Sequence, residues 1–355
     1  MTTTTCEVYG GVDTHGKTHH AAALDAVGQL LGDREFPATK AGYQQLIVWL
    51  ASFGTIVKVG IEGTGSYGAG LAAALLKQQV PVVEVDRPDR RARRRQGKSD
   101  PLDALAAARA TLSGEATGVP KARSGPVEAI RVLRVARRGA VKARTAAFNQ
   151  LHGLLVAAPE NLREELSKLT STELVERCAG FRVDQARLED PTMATKAALR
   201  VLARRIGTLS EEVAVADRQL RPLTERTAPR TIQLLGIGTE IAGQLLVTAG
   251  DNPERLRSEA AFAHLCAAAP IPASSGRRDR HRLNRGGDRA ANCALHMALV
   301  TRLRCHEPTR AYLARRTAEG LSKKDIMRCL KRFLAREVHA AVLADFAAAH
   351  ALDGT

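Results

Sequence analysis

EVYGGVDTHGKTHHAAALDAVGQLLGDREF, residues 7–36, decides how the chain begins to fold. It divides into three strand-like runs, EVYGGVD, HHAAALD and QLLGDREF, with turn residues at Asp25 to Gly28 and around Gly32 and Asp33. Tyr43, Leu46, Ile47 and Leu50 then recur at helical spacing over about 40–52. A buried strand TIVKVGIE, a helix from about Tyr67 to Gln78, a strand PVVEVD and an alanine-rich helix from about Pro101 to Leu112 follow. Three strands and then alternating helix and strand predict an α/β domain.

Four acids stand at the ends of these elements: Asp13 in VYGGVDTHGK, Glu62 in VKVGIEGTGSYG, and Asp100 and Asp103 in GKSDPLDALAAARA. Active sites of α/β sheets collect in such places. A carboxylate at the edge of a packed sheet must be solvated, paired or metal-bound. In SDPLDA, Asp100 reads as the helix cap with Pro101 at the first helical position, and Asp103 lies three residues on, on the same side of the first turn. The positive helix end favours both in ionised form. Alone, that pair is ordinary capping. Beside Asp13 and Glu62 it reads as half of a site for divalent metal acting on phosphodiesters.

The chain carries 53 Lys and Arg against 37 Asp and Glu, a net charge of +16 that favours a polyanionic partner, nucleic acid first. No apolar run reaches the length of a membrane span, and MTTTTCEVYGG lacks the basic and apolar parts of a leader, so a soluble cytoplasmic protein is expected. The six cysteines form no C-x-x-C pair, which argues against zinc or a disulfide framework. Two basic runs flank chemically interesting residues. Arg87, Arg90, Arg91, Arg93, Arg94 and Arg95, with Lys98, precede Asp100; Arg277, Arg278, Arg280, Arg282, Arg285 and Arg289 follow the serine pair Ser274 and Ser275. Both are read as phosphate contacts, which give affinity more than sequence choice. Aromatic residues are only 3% of the chain, so base stacking on the protein is not its main means of reading sequence.

From about Pro126 to Arg226 the chain reads as long charged helices. Val141, Phe148, Leu151 and Leu155 mark one apolar stripe, and Leu199, Leu202, Ile206, Leu209, Val213, Ala216 and Leu220 a second, with the three-four spacing of a coiled coil. An intramolecular hairpin and a dimerisation arm both fit. In LLGIGTEIAGQLLVTAGD, Gly236 and Gly238 lie between helical segments, as in a helix-hairpin-helix that offers backbone N–H groups to phosphate or as in a plain packing corner. The closing helices, about Ala290 to Thr301 and Lys323 to Leu343, set Arg328, Lys331, Arg332 and Arg336 beside apolar positions. The expected domains are 1–125, 126–226 and 227–345, with a tail at 346–355.

The acids in GVDTHGK, GIEGTGSYG and KSDPLDA, the helical middle, LLGIGTEIA and the ASSG loop with its basic sequel resemble, over about residues 7–343, the DEDD transposases of bacterial insertion sequences. These are relatives of the pilin-gene invertase, and some are bridge-RNA-guided recombinases. The resemblance implies a RuvC-like, ribonuclease H-like N-terminal domain, a coiled-coil spacer and a mainly α C-terminal transposase domain. It implies that Asp13, Glu62, Asp100 and Asp103 bind Mg2+ (or Mn2+), and that Ser275, with Ser274 its adjacent alternative, is the nucleophile that forms a phosphoserine joint. Element ends, target DNA and a guide RNA are the implied partners of a homodimer or homotetramer in the bacterial cytoplasm. Leu235 stands where members often have proline, and Asn284, Arg285 and Gly286 where many have Ser-Lys-Gly, so charge is kept but no specific lysine role transfers. Two rival readings use the same residues: a RuvC-like nuclease or junction resolvase attacking with water, and an inactive nucleic-acid-binding relic.

Overall fold

The opening run forms β1 (Glu7–Thr14), β2 (Thr18–Leu24) and β3 (Leu30–Pro37), joined antiparallel. In the computed structural model, residues 6–85, 99–123, 125–274, 276 and 281–353 are described. They belong to two compact units, Met1–Arg123 with Gly250–Arg257, and Ser124–Ala249 with Ser258–Thr355. Gly32 and Asp33, expected in a turn, lie inside β3 opposite Ala23 and Ala22. β3 is the sheet edge, where a solvated face tolerates both residues, and Asp33 accepts a hydrogen bond from His20 at 2.7 Å.

Helix α1 (Lys40–Ala51) starts at Thr39, whose hydroxyl accepts the Gly42 N–H. β4 (Thr55–Glu62), α2 (Ala69–Lys77) and β5 (Val82–Val85) follow, and both strands run parallel to β1 in the order β3-β2-β1-β4-β5. Antiparallel strands followed by parallel ones are consistent with the ribonuclease H-like expectation. On one face Val8, Val12, Val59 and Ile61 pack with Leu46, Leu50, Leu71 and Leu75. The other face carries α3 (Asp100–Leu112), which packs Ala104 and Ala108 against Ala22 and Leu24.

α3 sits unusually close to the sheet because two strand residues have no side chain. A β-carbon on Gly11 would overlap the backbone of Ala104 and Ala108, and one on Gly60 would overlap the Thr111 hydroxyl. The helix answers with small residues: Ala104, Ala107, Ala108 and Thr111 make its buried stripe, and Asp103 continues that stripe to the first turn.

In the second unit α4 (Pro126–Val156) and α7 (Pro191–Thr227) pair with each other. Arg137 meets Asp217 at 2.6 Å and Arg144 meets Ser210 at 3.5 Å, so partners run in opposite directions and the pair is antiparallel. Leu199, Ile206, Val213, Ala216 and Leu220 are buried as the stripe predicts; Leu202 and Leu209 are half-buried, and Ala203 completes the seam. Short helices α5 (Glu160–Leu166) and α6 (Ser171–Ala179) share its core through Leu162, Leu166 and Leu174. Beyond lie α8 (Thr239–Ala249), α9 (Glu259–Leu265), the two-residue strands β6 (Ile271–Pro272) and β7 (His281–Arg282), α10 (Arg289–Cys305), α11 (Glu307–Ala318) and α12 (Lys323–Asp353). α11 was not foreseen from sequence, because only Thr309 in it is buried and it presents no apolar stripe. All six cysteines are free, and no helix among the described residues is long and apolar enough to cross a membrane.

Replacing Gly11 by Val should be among the most damaging single changes in the first unit, because the branched side chain meets helix backbone that cannot rotate away. A loss of about 1–3 kcal/mol or more is expected from overpacking. Thermal melting of Gly11→Val beside Gly65→Ala, where a β-carbon meets only an ordinary 3.6 Å contact, would check it; equal melting temperatures would mean the close seat of α3 is not needed.

Candidate active site

Strand alternation carries the acids to the face that α3 covers. Tyr9 and Gly11 face α3, so Asp13, two residues further along β1, points the same way. Gly60 and Glu62 repeat this on β4. Parallel pairing places Val12 opposite Ile61, so both acids emerge at one edge of the sheet. Thr14 Oγ1 ties the two strand ends together by donating to the Glu62 carbonyl at 2.8 Å. The first turn of α3 then delivers Asp100 and Asp103 to the same place. The cap is Ser99, not Asp100: its extended backbone (φ −148°, ψ 150°) and its carbonyl, which accepts the Asp103 N–H at 3.0 Å, begin the helix. Asp100 is thus the first helical residue.

Asp13 and Asp103 are buried, while Glu62 and Asp100 are partly open. Burial holds the Asp13 carboxyl above its ordinary value; His15 opposes this, Asp103 and Asp100 add to it, and a hydrogen bond with Glu62 works against it. Asp13 Oδ2 is buried with no hydrogen-bond partner. His15 Nδ1 lies 3.6 Å from it and 4.0 Å from Asp100 Oδ2, and Asp13, His15 and Asp100 each offer a ligand atom within 4.8 Å of the others. Asp13 also lines a cleft of about 320 Å³ with Thr14, Glu62, Gly63, Ser66 and Glu84. Hard carboxylate oxygens, one orphaned and buried, together with one imidazole, make a donor set suited to Mg2+ or Mn2+.

Two family models match the chain. One, a transposase model of the IS110 DEDD type, matches residues 10–158; the other, described as transposase IS116/IS110/IS902 family, matches 230–314. The chain carries the transposase domains of the IS110 family. It is therefore a DNA transposase, an enzyme of phosphoryl transfer, and the first matched span contains all four acids. No curated protein sequence matches the transposase.

His15 and Glu84 were missed from sequence. His15 was legible in principle, since it follows Asp13 by two residues and keeps step with β1; Glu84 needed the pairing of β5 with β4 to bring it to the cleft. Of the remaining sequence candidates in the transposase, Ser275, Arg277, Arg278, Arg280 and the run Arg87, Arg90, Arg91, Arg93, Arg94, Arg95 and Lys98 lie outside the described residues. Arg282, Arg285 and Arg289 are exposed, on β7, in the loop after it and at the start of α10. Gly236 has φ +83°, and a β-carbon there would stand 2.6 Å from the Ala298 carbonyl, so packing on α10 requires glycine. A three-residue 3₁₀ turn, Thr231–Gln233, rather than a full helix precedes the glycine pair. Gly238 opens onto free space before α8, whose Glu240 is paired with Arg134 at 2.9 Å and Arg137 at 3.2 Å.

The raised Asp13 fixes a pH trend. The folded protein holds this proton more tightly than the unfolded chain, so the stabilisation is present below the ordinary 3.8 and is lost as pH rises through the raised value. In EDTA, Asp13→Asn should therefore melt above wild type at neutral pH, with the gap narrowing as pH falls through the raised value. Melting curves at several pH values check this; a gap independent of pH would show that Asp13 is not strained by its charge.

Proposed function

We propose that this transposase cuts and rejoins DNA at the ends of an insertion sequence and at a target by a serine mechanism assisted by divalent metal. Asp13, Glu62, Asp100 and Asp103 would hold Mg2+ or Mn2+, and Ser275 is the nucleophile, with Ser274 beside it as the alternative. The observation that supports the reading is the convergence of Glu62, Asp100 and Asp103 on Asp13, whose buried Oδ2 has no hydrogen-bond partner. A divalent ion there would supply Lewis-acid stabilisation of negative charge on phosphate oxygens.

The chain's own residues account for the rest. The carboxylates gather where strand ends and a helix start meet, so they would hold a cation at the rim of the sheet, within reach of a DNA backbone. The serine hydroxyl attacks phosphorus; its O–H proton passes to a base, a P–O ester bond forms to serine, and the P–O bond to one sugar breaks to release a sugar hydroxyl. Reversal by another sugar hydroxyl reseals the strand without ATP. Arg282, Arg285 and Arg289, the basic runs at 87–98 and 277–280, and the backbone around Gly236 and Gly238 contact phosphates. An element-encoded RNA chooses the sequence by pairing, and a homodimer or homotetramer in the bacterial cytoplasm does the work.

The test is incubation of purified protein with Mg2+, element-end DNA and co-purified RNA, followed by a denaturing gel for a covalent protein–DNA adduct. Wild type should form it and Ser275→Ala should not. Asp13→Asn should lower it by at least the roughly 100-fold that even outer-shell changes at metal sites reach. Cut ends in wild type and Ser275→Ala alike, without adduct, would sink the serine mechanism in favour of a water-using nuclease. Unchanged transposition by Asp13→Asn would make the acids relics.

A further inference from the structure

In the second unit α12 carries Lys331 into a narrow cleft that it shares with Pro270, Arg282, Asn284, Asn292 and Arg328. The Lys331 ammonium donates to Asn292 Oδ1 at 2.8 Å, and the same amide donates from Nδ2 to the Ala267 carbonyl at 2.6 Å, which fixes its oxygen toward the lysine. Asn284 is locked as well: its Nδ2 donates to the His264 carbonyl at 3.1 Å and its Oδ1 accepts the Gly286 N–H at 3.0 Å. The walls are therefore built, not collapsed side chains.

Charge in this cleft is one-sided. Arg328 is paired with Asp325, and on the same helix Arg332 and Arg336 share Glu259. Among the described residues, no carboxylate lies within ion-pair distance of Lys331 or Arg282. Burial and then Arg328 hold the Lys331 amine below its ordinary value, as expected for a cation that lacks a counter-ion. A half-buried cation without an anion is costly unless a ligand brings one. The cleft has room for about one water-sized group, which suits a single non-bridging phosphate oxygen and not a whole phosphate. It stands at the stem of the β6–β7 pair, between Pro270 just before β6 and Arg282 on β7.

We infer that this cleft is a backbone-phosphate site that takes one oxygen of a nucleic-acid phosphodiester between Lys331 and Arg282, with Asn292 orienting the lysine. The +16 chain and its action on DNA identify the anion as a nucleic-acid phosphate. The inference needs neither the proposed serine nor a metal, so failure of either leaves it standing.

The experiment uses the full-length protein in EDTA, to withhold divalent metal, with a fluorescent DNA duplex and a salt titration read by anisotropy. Lys331→Met and Arg282→Gln should each weaken binding about tenfold, the scale of one charge-assisted hydrogen bond, and lower the salt slope by about 0.9. Arg336→Gln removes the same charge from a residue already paired with Glu259 and should weaken binding less than about threefold. Should Lys331→Met fail to fold, the exposed Arg282→Gln and a footprint on wild type decide. In that footprint, acylation of Lys331 read by mass spectrometry should be blocked by duplex but not by inorganic phosphate, while Lys323 stays reactive. Equal losses in all three variants, or a Lys331 that duplex does not protect, would overturn the assignment. Protection by inorganic phosphate alone would overturn it in favour of a free-anion site.

Discussion

Everything in the candidate active site depends on how closely α3 lies on the sheet. Gly11 and Gly60 stand two residues before Asp13 and Glu62 on neighbouring parallel strands, so glycine and acid share a face in both. The missing β-carbons let the helix backbone descend onto the strands, and the alanines of α3 keep it there. Its first turn then arrives beside the strand ends with Asp103 on the buried stripe and Asp100 at the rim. A larger residue at either glycine would lift the helix and separate the two pairs of acids.

That closeness creates an electrostatic problem whose scale points to a cation. Two like charges about 4 Å apart near a protein surface repel by about 4 kcal/mol, less where water reaches one of them, as it does Asp100. The helix N-terminus offers each carboxylate only about 0.3–1 kcal/mol. His15 Nδ1, at 3.6 Å from Asp13 and 4.0 Å from Asp100, faces two of these acids. A divalent cation, which the DEDD type of transposase suggests, would relieve that repulsion.

Buried carboxylates in the second unit show the contrast. Asp345 accepts from the Arg230 N–H at 2.8 Å, the Thr231 N–H at 3.0 Å and the Thr231 hydroxyl at 2.7 Å. Asp288 caps α10 and accepts from Thr248 at 2.7 Å. Both are structural because their oxygens are satisfied within the chain. Asp13 Oδ2 has no such partner, and by the same logic Lys331 is a cation whose counter-charge is not supplied by the described residues.

Local periodicity determined much from sequence alone: the strands of residues 7–36, the two long stripes at 126–226, and the four acids at element ends, because periods of two and 3.6 residues and cap chemistry are written along the chain. What it could not settle is which polar groups end up without partners. Ser99 rather than Asp100 begins α3 because the backbone conformation at 99 decides the cap; Gly32 and Asp33 join a strand because β2 is there to pair with them. α11 buries almost nothing and so left no periodic trace. The Asp13 oxygen, the reach of His15 and Glu84, and the uncompensated charge of Lys331 are facts of long-range packing. Only the tertiary structure decided them, because burial removes water from a side chain regardless of what lies next to it in sequence.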